Sequence, residues 1–240
     1  MKTVLILQAR LDSSRLPGKS LLPLGGEPML LRVMEALNAV PCDLRILACP
    51  EDCEIPFKAP ARRGGFELFA GDKEDVLARF CAALDRFFPS GEIPGLRLIR
   101  ATGDNPFVFA DAASAIHEEA LALGADYAGF SGLPTGAGVE ALSASALLAA
   151  EKEARGDERE HVCPFLYKHP ERFYLHRPLA PPEWRGGIPP LSLTVDTRED
   201  YDRALVLYDA LERADGGGYS GRYSGGEIIA VCKSCFGVPR

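Results

Sequence analysis

The feature that most limits how this chain can fold is its opening apolar run, Thr3-Val4-Leu5-Ile6-Leu7, which passes directly into Gln8-Ala9-Arg10-Leu11-Asp12-Ser13-Ser14-Arg15-Leu16-Pro17-Gly18-Lys19. An uninterrupted apolar run bounded by turn residues reads as a buried strand. A buried strand, a polar loop and then segments of helical period are the pattern of an open α/β sheet. A loop at the carboxyl end of such a strand is where these sheets bind ligands. Arg10, Arg15 and Lys19 place three cations in this loop, beside Ser13 and Ser14. Two guanidinium forks and an ammonium suit a triphosphate, which takes several charge-assisted donors. A solvated basic surface loop carries the same residues. The loop is not the phosphate loop of kinases, since Gly18-Lys19-Ser20 lacks the upstream glycine, and no Gly-x-Gly-x-x-Gly follows the first strand.

Further along, Gly25-Gly26 turns the chain and Pro28 suits the first turn of a helix carrying Leu30, Leu31, Met34 and Leu37. Residues 44–48 read as the second strand. Over residues 72–88, Val76, Leu77, Phe80, Leu84 and Phe87 form one apolar stripe, with Asp72 and Asp75 as capping carboxylates. A strand at 96–100 runs into Thr102-Gly103-Asp104-Asn105-Pro106. Asp104 therefore lies at the same mouth as the first loop, and Gly103 lets backbone come close to a ligand. Asp-Asn-Pro is also an ordinary turn.

Residues 111–123 read as a helix with Asp111 as N-cap, 127–130 as a short strand and 132–140 as a glycine-rich loop. Helices at 143–153 and 157–168 follow, then a strand at 173–177. Residues 178–190 read as a long loop, of the sort found at site mouths and subunit contacts. Residues 191–196 alternate as a strand ending on Asp196, after which Thr197-x-x-Asp200 caps a helix continued by Leu205, Tyr208 and Leu211. Residues 215–226 read as a mobile glycine-rich spacer. Residues 227–232 read as a short closing helix or a segment packing on a partner.

With 240 residues, the chain fits one α/β domain, and 47% hydrophobic content supplies a core. The net charge of −7 argues against nucleic acid as a partner. No run reaches membrane-spanning length and no leader precedes the first strand, so a cytoplasmic protein is expected. Seven scattered cysteines read as reduced thiols, not a disulfide framework. Cys232 and Cys235 have metal-pair spacing, but zinc would need a second pair, which Cys49 and Cys53 could supply in principle.

Ala9 to Lys19 matches Ala-Arg-x-x-Ser-x-Arg-x-Pro-Gly-Lys. That signature resembles the cytidylyltransferases that activate acidic sugars, such as the sialic-acid and KDO enzymes, and among them the branch named after spore coat polysaccharide biosynthesis protein F. Gly71-x-x-x-Asp75-Val76-Leu77-x-Arg79, Gly103-Asp104-x-Pro106, Arg159-Glu160-His161-Val162 and Val195-Asp196-Thr197-x-Glu199-Asp200 match further family segments. The resemblance spans nearly the whole chain and thins after about residue 213. It implies a Rossmann-like nucleotide-diphospho-sugar transferase fold, a mostly parallel mixed sheet flanked by helices. It also implies transfer of CMP from CTP to a sugar in cell-surface or spore-coat glycan biosynthesis. By that resemblance Arg10, Arg15 and Lys19 hold the triphosphate, and Asp104 and Asp196 bind Mg2+. Gln8, Ala9, Ser13, Asp75, Arg79 and Thr102 lie at the nucleotide, with cytosine near Gln8 and Ala9. Glu140 and His161 face the sugar, and a homodimer is expected. His161 is also a candidate general base, because an imidazole is the side chain suited to proton transfer near neutrality, although a histidine on a helix is more often structural. The family pattern Gly-x-Asp-Val-Glu reads Gly136-Ala137-Gly138-Val139-Glu140 here, so a charge is missing beside the sugar.

Two other readings fit parts of the chain. One is an enzyme of the same fold that uses another nucleotide, or a glycosyltransferase, although Gly103-Asp104-Asn105 is not the Asp-x-Asp of the latter. The other is a sugar-nucleotide-binding protein without catalysis, which would be expected to lose one of the five charged residues retained here.

Overall fold

The computed structural model describes residues 1–186, 191–214 and 223–237. The opening run is β1 (Thr3–Gln8), buried along nearly its whole length. The loop after it ends in a turn of 3-10 helix, Lys19–Leu21, entered through Gly18 at φ 68°, a left-handed conformation that glycine adopts without strain. A hairpin, β2 (Pro23–Leu24) and β3 (Glu27–Pro28), leads to α1 (Met29–Leu37). Pro28 stands just outside that helix as its N-cap, one position earlier than expected.

The chain continues through β4 (Leu44–Pro50), α2 (Glu54–Gly64), β5 (Glu67–Gly71), α3 (Val76–Phe87), β6 (Arg97–Thr102) and α4 (Ala110–Leu123). Then come β7 (Tyr127–Ala128), β8 (Glu140–Ser143), α5 (Ala144–Glu153), α6 (Asp157–Glu160), α7 (Pro164–Lys168), β9 (Leu175–His176), α8 (Arg198–Ala214) and α9 (Gly225–Phe236). The main sheet has the order β5-β4-β1-β6-β8-β7-β9. Strands β5, β4, β1 and β6 are mutually parallel, β8 runs against β6 and β7, and β9 is parallel to β7. The chain is therefore an α/β protein with a mostly parallel mixed sheet, as the resemblance implied.

Side chains alternate across the sheet and bury both faces. Leu5, Leu7, Leu47 and Ile99 pack beneath Leu30, Val33, Phe57 and Ile116 of α1, α2 and α4. Val4, Ile6, Ile46 and Leu98 pack beneath Leu77, Phe80, Leu84 and Leu147 of α3 and α5. A third cluster joins Phe107 and Phe109 to Tyr201, Leu207 and Tyr208 of α8 and to Ile228 and Ile229 of α9. The chain leaves β1 toward β4 on one side and returns to β6 on the other, so the strand order reverses between β1 and β6. That reversal opens a crevice at their carboxyl ends.

Several elements differ from expectation. Helix α3 begins at Val76, because Asp75 caps it and Asp72 accepts from the backbone of Glu74 and Asp75. The β6 strand is shifted to Arg97–Thr102, and the strand expected at 127–130 stops at Ala128. Asp111 lies inside α4, which follows Phe109, and its carboxylate accepts from Trp184 Nε1 at 3.1 Å and from the backbone of Gly225. The helix expected at 157–168 is two short ones, because Val162 takes φ 67°, a conformation that no helix continues through. Glu140 belongs to a strand that the glycines before it concealed. Residues 191–196 bridge to the 132–140 loop at Thr135 and do not form a strand of the sheet. The expected loop at 178–190 contains a turn at Pro182–Trp184, and its residues 187–190 lie outside the described residues. Of the spacer expected over 215–226, residues 215–222 also lie outside the described residues, and Gly225 and Gly226 open α9 after the Ser224 cap. The terminal helix packs on α8 and α4 of its own chain. Among the described residues no helix is long and apolar enough to cross a membrane, and the seven cysteines are free.

Candidate active site

A cleft of about 360 Å³ opens at the carboxyl ends of β1 and β6. The end of β1 contributes Gln8, the first loop contributes Ala9, Arg10, Ser13, Arg15 and Lys19, and β6 with the turn after it contributes Arg100, Thr102, Gly103 and Asp104. Lys73, Glu74 and Arg79 come from around the start of α3, Glu160 and His161 from the end of α6, and Asp196 from the stretch before α8. The loop is braced from within, since Ser20 Oγ donates to Arg10 O and the Gly18 amide to Leu11 O.

At the centre is Lys19, a buried lysine. Its ammonium donates to Asp104 Oδ2 at 3.1 Å, Val195 O at 2.9 Å and Asp196 Oδ1 at 2.7 Å. All three of its donors are thus taken. Arg15 reaches the other oxygen of Asp196 at 3.0 Å. The two aspartates meet because the Val195 amide donates to Asp104 O at 2.9 Å, which splices the turn after β6 to the stretch before α8. Gly103 sits where a Cβ would come within 2.7 Å of the Ala9 Cβ, so the close approach of this turn to the first loop requires glycine.

Two carboxylates gathered on one cation fit a divalent ion of the magnesium type, which takes one or two protein carboxylates plus substrate phosphates. Among the described residues no group of three metal-ligating side chains converges, so substrate and water oxygens would complete such a shell. The outer wall is basic. Arg10 opens to the cleft apart from a 3.7 Å pairing with Asp12. Lys73 ties Asp12, at 3.2 Å, to Asp52, at 2.8 Å, and so joins the first loop to the turn that follows β4. Arg79 is buried beneath them, its guanidinium donating to Asp72 O at 2.5 Å, and burial pushes its pKa down from the usual arginine value.

Two residues expected at the ligands stand behind the wall. Asp75 accepts from the Ala78 amide at 2.8 Å and from Arg159 Nε at 2.5 Å. It therefore caps α3 and ties it to α6, whose last residue Glu160 and C-cap His161 do line the cleft. Replacing Asp75 by alanine removes this cap and should lower stability by about 1 kcal/mol, measured by denaturant unfolding; Asp75→Asn, which keeps a capping oxygen, should lose less. Glu140 lies deeper still. Its carboxylate accepts from Arg100, Tyr167, Tyr127 at 3.0 Å and Cys163 at 3.3 Å. Burial pushes this carboxyl up, but the Arg100 charge and these hydrogen bonds outweigh burial and leave it below its usual value. The residue that reaches the cleft from this cluster is Arg100, which sequence reasoning passed over. Its signal is a charge inside an apolar strand, where a buried cation requires a partner. Lys73 and Glu74 also line the cleft and were missed, and no local pattern marks them.

Comparison with known proteins identifies the family. Residues 4–214 match the model of the cytidylyltransferase family. The chain is 32% identical over 219 residues to spore coat polysaccharide biosynthesis protein SpsF of Bacillus subtilis, covering 88% of each. A cytidylyltransferase from Leptospira borgpetersenii superposes with a TM-score of 0.83 at 23% identity, over 98% of this chain and 94% of that one. The CMP:2-keto-3-deoxy-manno-octonic acid synthetase complexed with CTP superposes with a TM-score of 0.64 at 15% identity, over 87% and 99%. With its signature loop, its mostly parallel sheet and a family match over most of its length, the chain belongs to the cytidylyltransferase family.

Proposed function

We propose that this protein transfers a cytidylyl group from CTP to a sugar hydroxyl and releases pyrophosphate, in the making of a surface or spore-coat glycan. The observation that carries the reading is the junction at Lys19, where Asp104 and Asp196 converge on one ammonium beside Arg15. In the reaction the sugar oxygen forms a bond to the α-phosphorus as the bond to the β-phosphate bridging oxygen breaks. Such transfers depend on alignment and charge neutralisation more than on covalent help. Arg10 and Arg15 bind the triphosphate and stabilise the negative charge that accumulates on departing pyrophosphate, and Lys19 joins them once Asp104 and Asp196 release its ammonium to hold a metal. Ser13 and Thr102 offer hydroxyls along the same wall. Asp104 and Asp196 would hold Mg2+, which when bound polarises the α-phosphate and neutralises its charge. Glu160 and His161 face the acceptor from the α6 side, while Asp75 and Glu140 position the walls from behind. The choice of cytosine as the base is supported by the family and by the CTP-bound relative.

Pyrophosphate release should be measured with each of the four nucleoside triphosphates against a panel of acidic and amino sugars, with and without Mg2+. The expected result is release that requires CTP, a sugar and the metal together. Release with another nucleotide alone, or none with CTP and any sugar, would overturn the assignment.

A further inference from the structure

Gln8 ends β1 and pairs in register with Thr102 of β6, two residues beyond Arg100. By strand alternation Gln8 projects on the sheet face of Val4 and Ile6, and Arg100 on the same face as Leu98. Both side chains reach the cleft. Arg100 Nε donates to Gln8 Oε1 at 3.0 Å. A guanidinium has donors and no acceptor, so the Gln8 amide has one orientation open to it, with its oxygen turned to Arg100. Its nitrogen is then left for the cleft, and it bonds to no other described residue.

Arg100 is itself prevented from turning. Its Nη1 is held by Glu140, and Glu140 is held by Tyr127, Tyr167 and Cys163. A run of directional bonds thus extends from the buried cluster to the cleft floor and sets the polarity of one amide at its end. Ala9 is the next residue, and its small side chain leaves room beside that amide.

We propose that Gln8, held with its amide nitrogen toward the cleft, selects the nucleobase by donating to the adjoining O2 and N3 acceptors of cytosine. Uracil keeps the O2 acceptor but places an N3–H donor beside it, so one Gln8 donor would face another donor and go unpaired. A site built to bond one edge discriminates strongly against an edge of opposite polarity, because its own polar groups then go unsatisfied. The inference rests on the reading of the cleft as a nucleotide site.

Calorimetric titration with CTP and with UTP, both with Mg2+, tests it on the wild-type protein, Gln8→Glu and Gln8→Leu. In Gln8→Glu the new carboxylate pairs with Arg100 and turns an acceptor oxygen to the cleft. CTP should then bind about tenfold more weakly or worse, and the preference for CTP over UTP should fall by about tenfold or more. Gln8→Leu should bind both nucleotides with little preference. Thermal unfolding confirms that each variant is folded. A wild-type CTP-to-UTP ratio retained in Gln8→Glu would overturn the role of Gln8 while leaving the nucleotide site standing. If the wild-type protein binds neither nucleotide, the site assignment falls, and this inference with it.

Discussion

Replacing Glu140 by leucine should destabilise the protein by about 3–5 kcal/mol, because it strands the Arg100 guanidinium in a site that water does not replace. At a few degrees per kcal/mol for a chain of this size, that amounts to a fall in Tm of roughly 10 °C. The double variant Arg100→Met/Glu140→Leu should recover a large part of the loss, since a buried pair exchanged as a unit for apolar groups is often neutral. Single-variant destabilisation below about 1 kcal/mol would mean that the pair is solvated after all. Acid dependence gives an independent check. The Glu140 carboxyl has a lowered pKa in the folded protein, so its contribution is fully present above the unfolded value near 4.3 and is lost as pH falls through the folded value. The stability gap between wild type and Glu140→Gln should therefore be flat from neutrality to about pH 5 and narrow below about pH 4. A gap that closes on the alkaline side would contradict the assignment.

The second large effect concerns activity. Asp196→Asn keeps the shape and one oxygen for Arg15 but removes a charge from the Lys19 junction, and Asp104→Asn does the same from the other side. Each should lower kcat/KM by about a hundred- to a thousandfold, an effect of about 3–4 kcal/mol on the transition state. Each should also demand a higher Mg2+ concentration for half-maximal rate. Stability should change little, since Lys19 keeps its bond to Val195 O and one carboxylate. Steady-state kinetics across a metal titration measures all of this, and full activity in either variant would remove that residue from the site.

These two positions show how unevenly the molecule can be read from its residues. β1 and α3 follow from hydrophobic periodicity, and their cores lie where the pattern puts them. The cations of the first loop are legible as a set, because three in one glycine-bounded loop after a strand is a local signal. The meeting of Asp104 with Asp196 is not local. It depends on a backbone bond from Val195 to Asp104, and the family signature implies it where periodicity cannot. β8 is concealed by its brevity and by the glycines before it, so Glu140 reads as a loop residue and not as the hub of a buried cluster. Asp75 is legible as a cap of α3, the job it has, while the resemblance alone sets it among the nucleotide ligands, since a capping carboxylate and a ligand carboxylate look alike in sequence.

The match to the family model stops at residue 214, which invites treating the remaining residues as an appendage. The fold argues otherwise. Gly225 is pressed so closely on Phe109 that a methyl group there would overlap the ring at 2.3 Å, and Asp111 fastens the same turn to Trp184. A chain trimmed at the family boundary would leave the cluster of Phe109 and Tyr208 facing water in place of Ile228 and Ile229. The packed core of this protein therefore runs past the boundary of the family model.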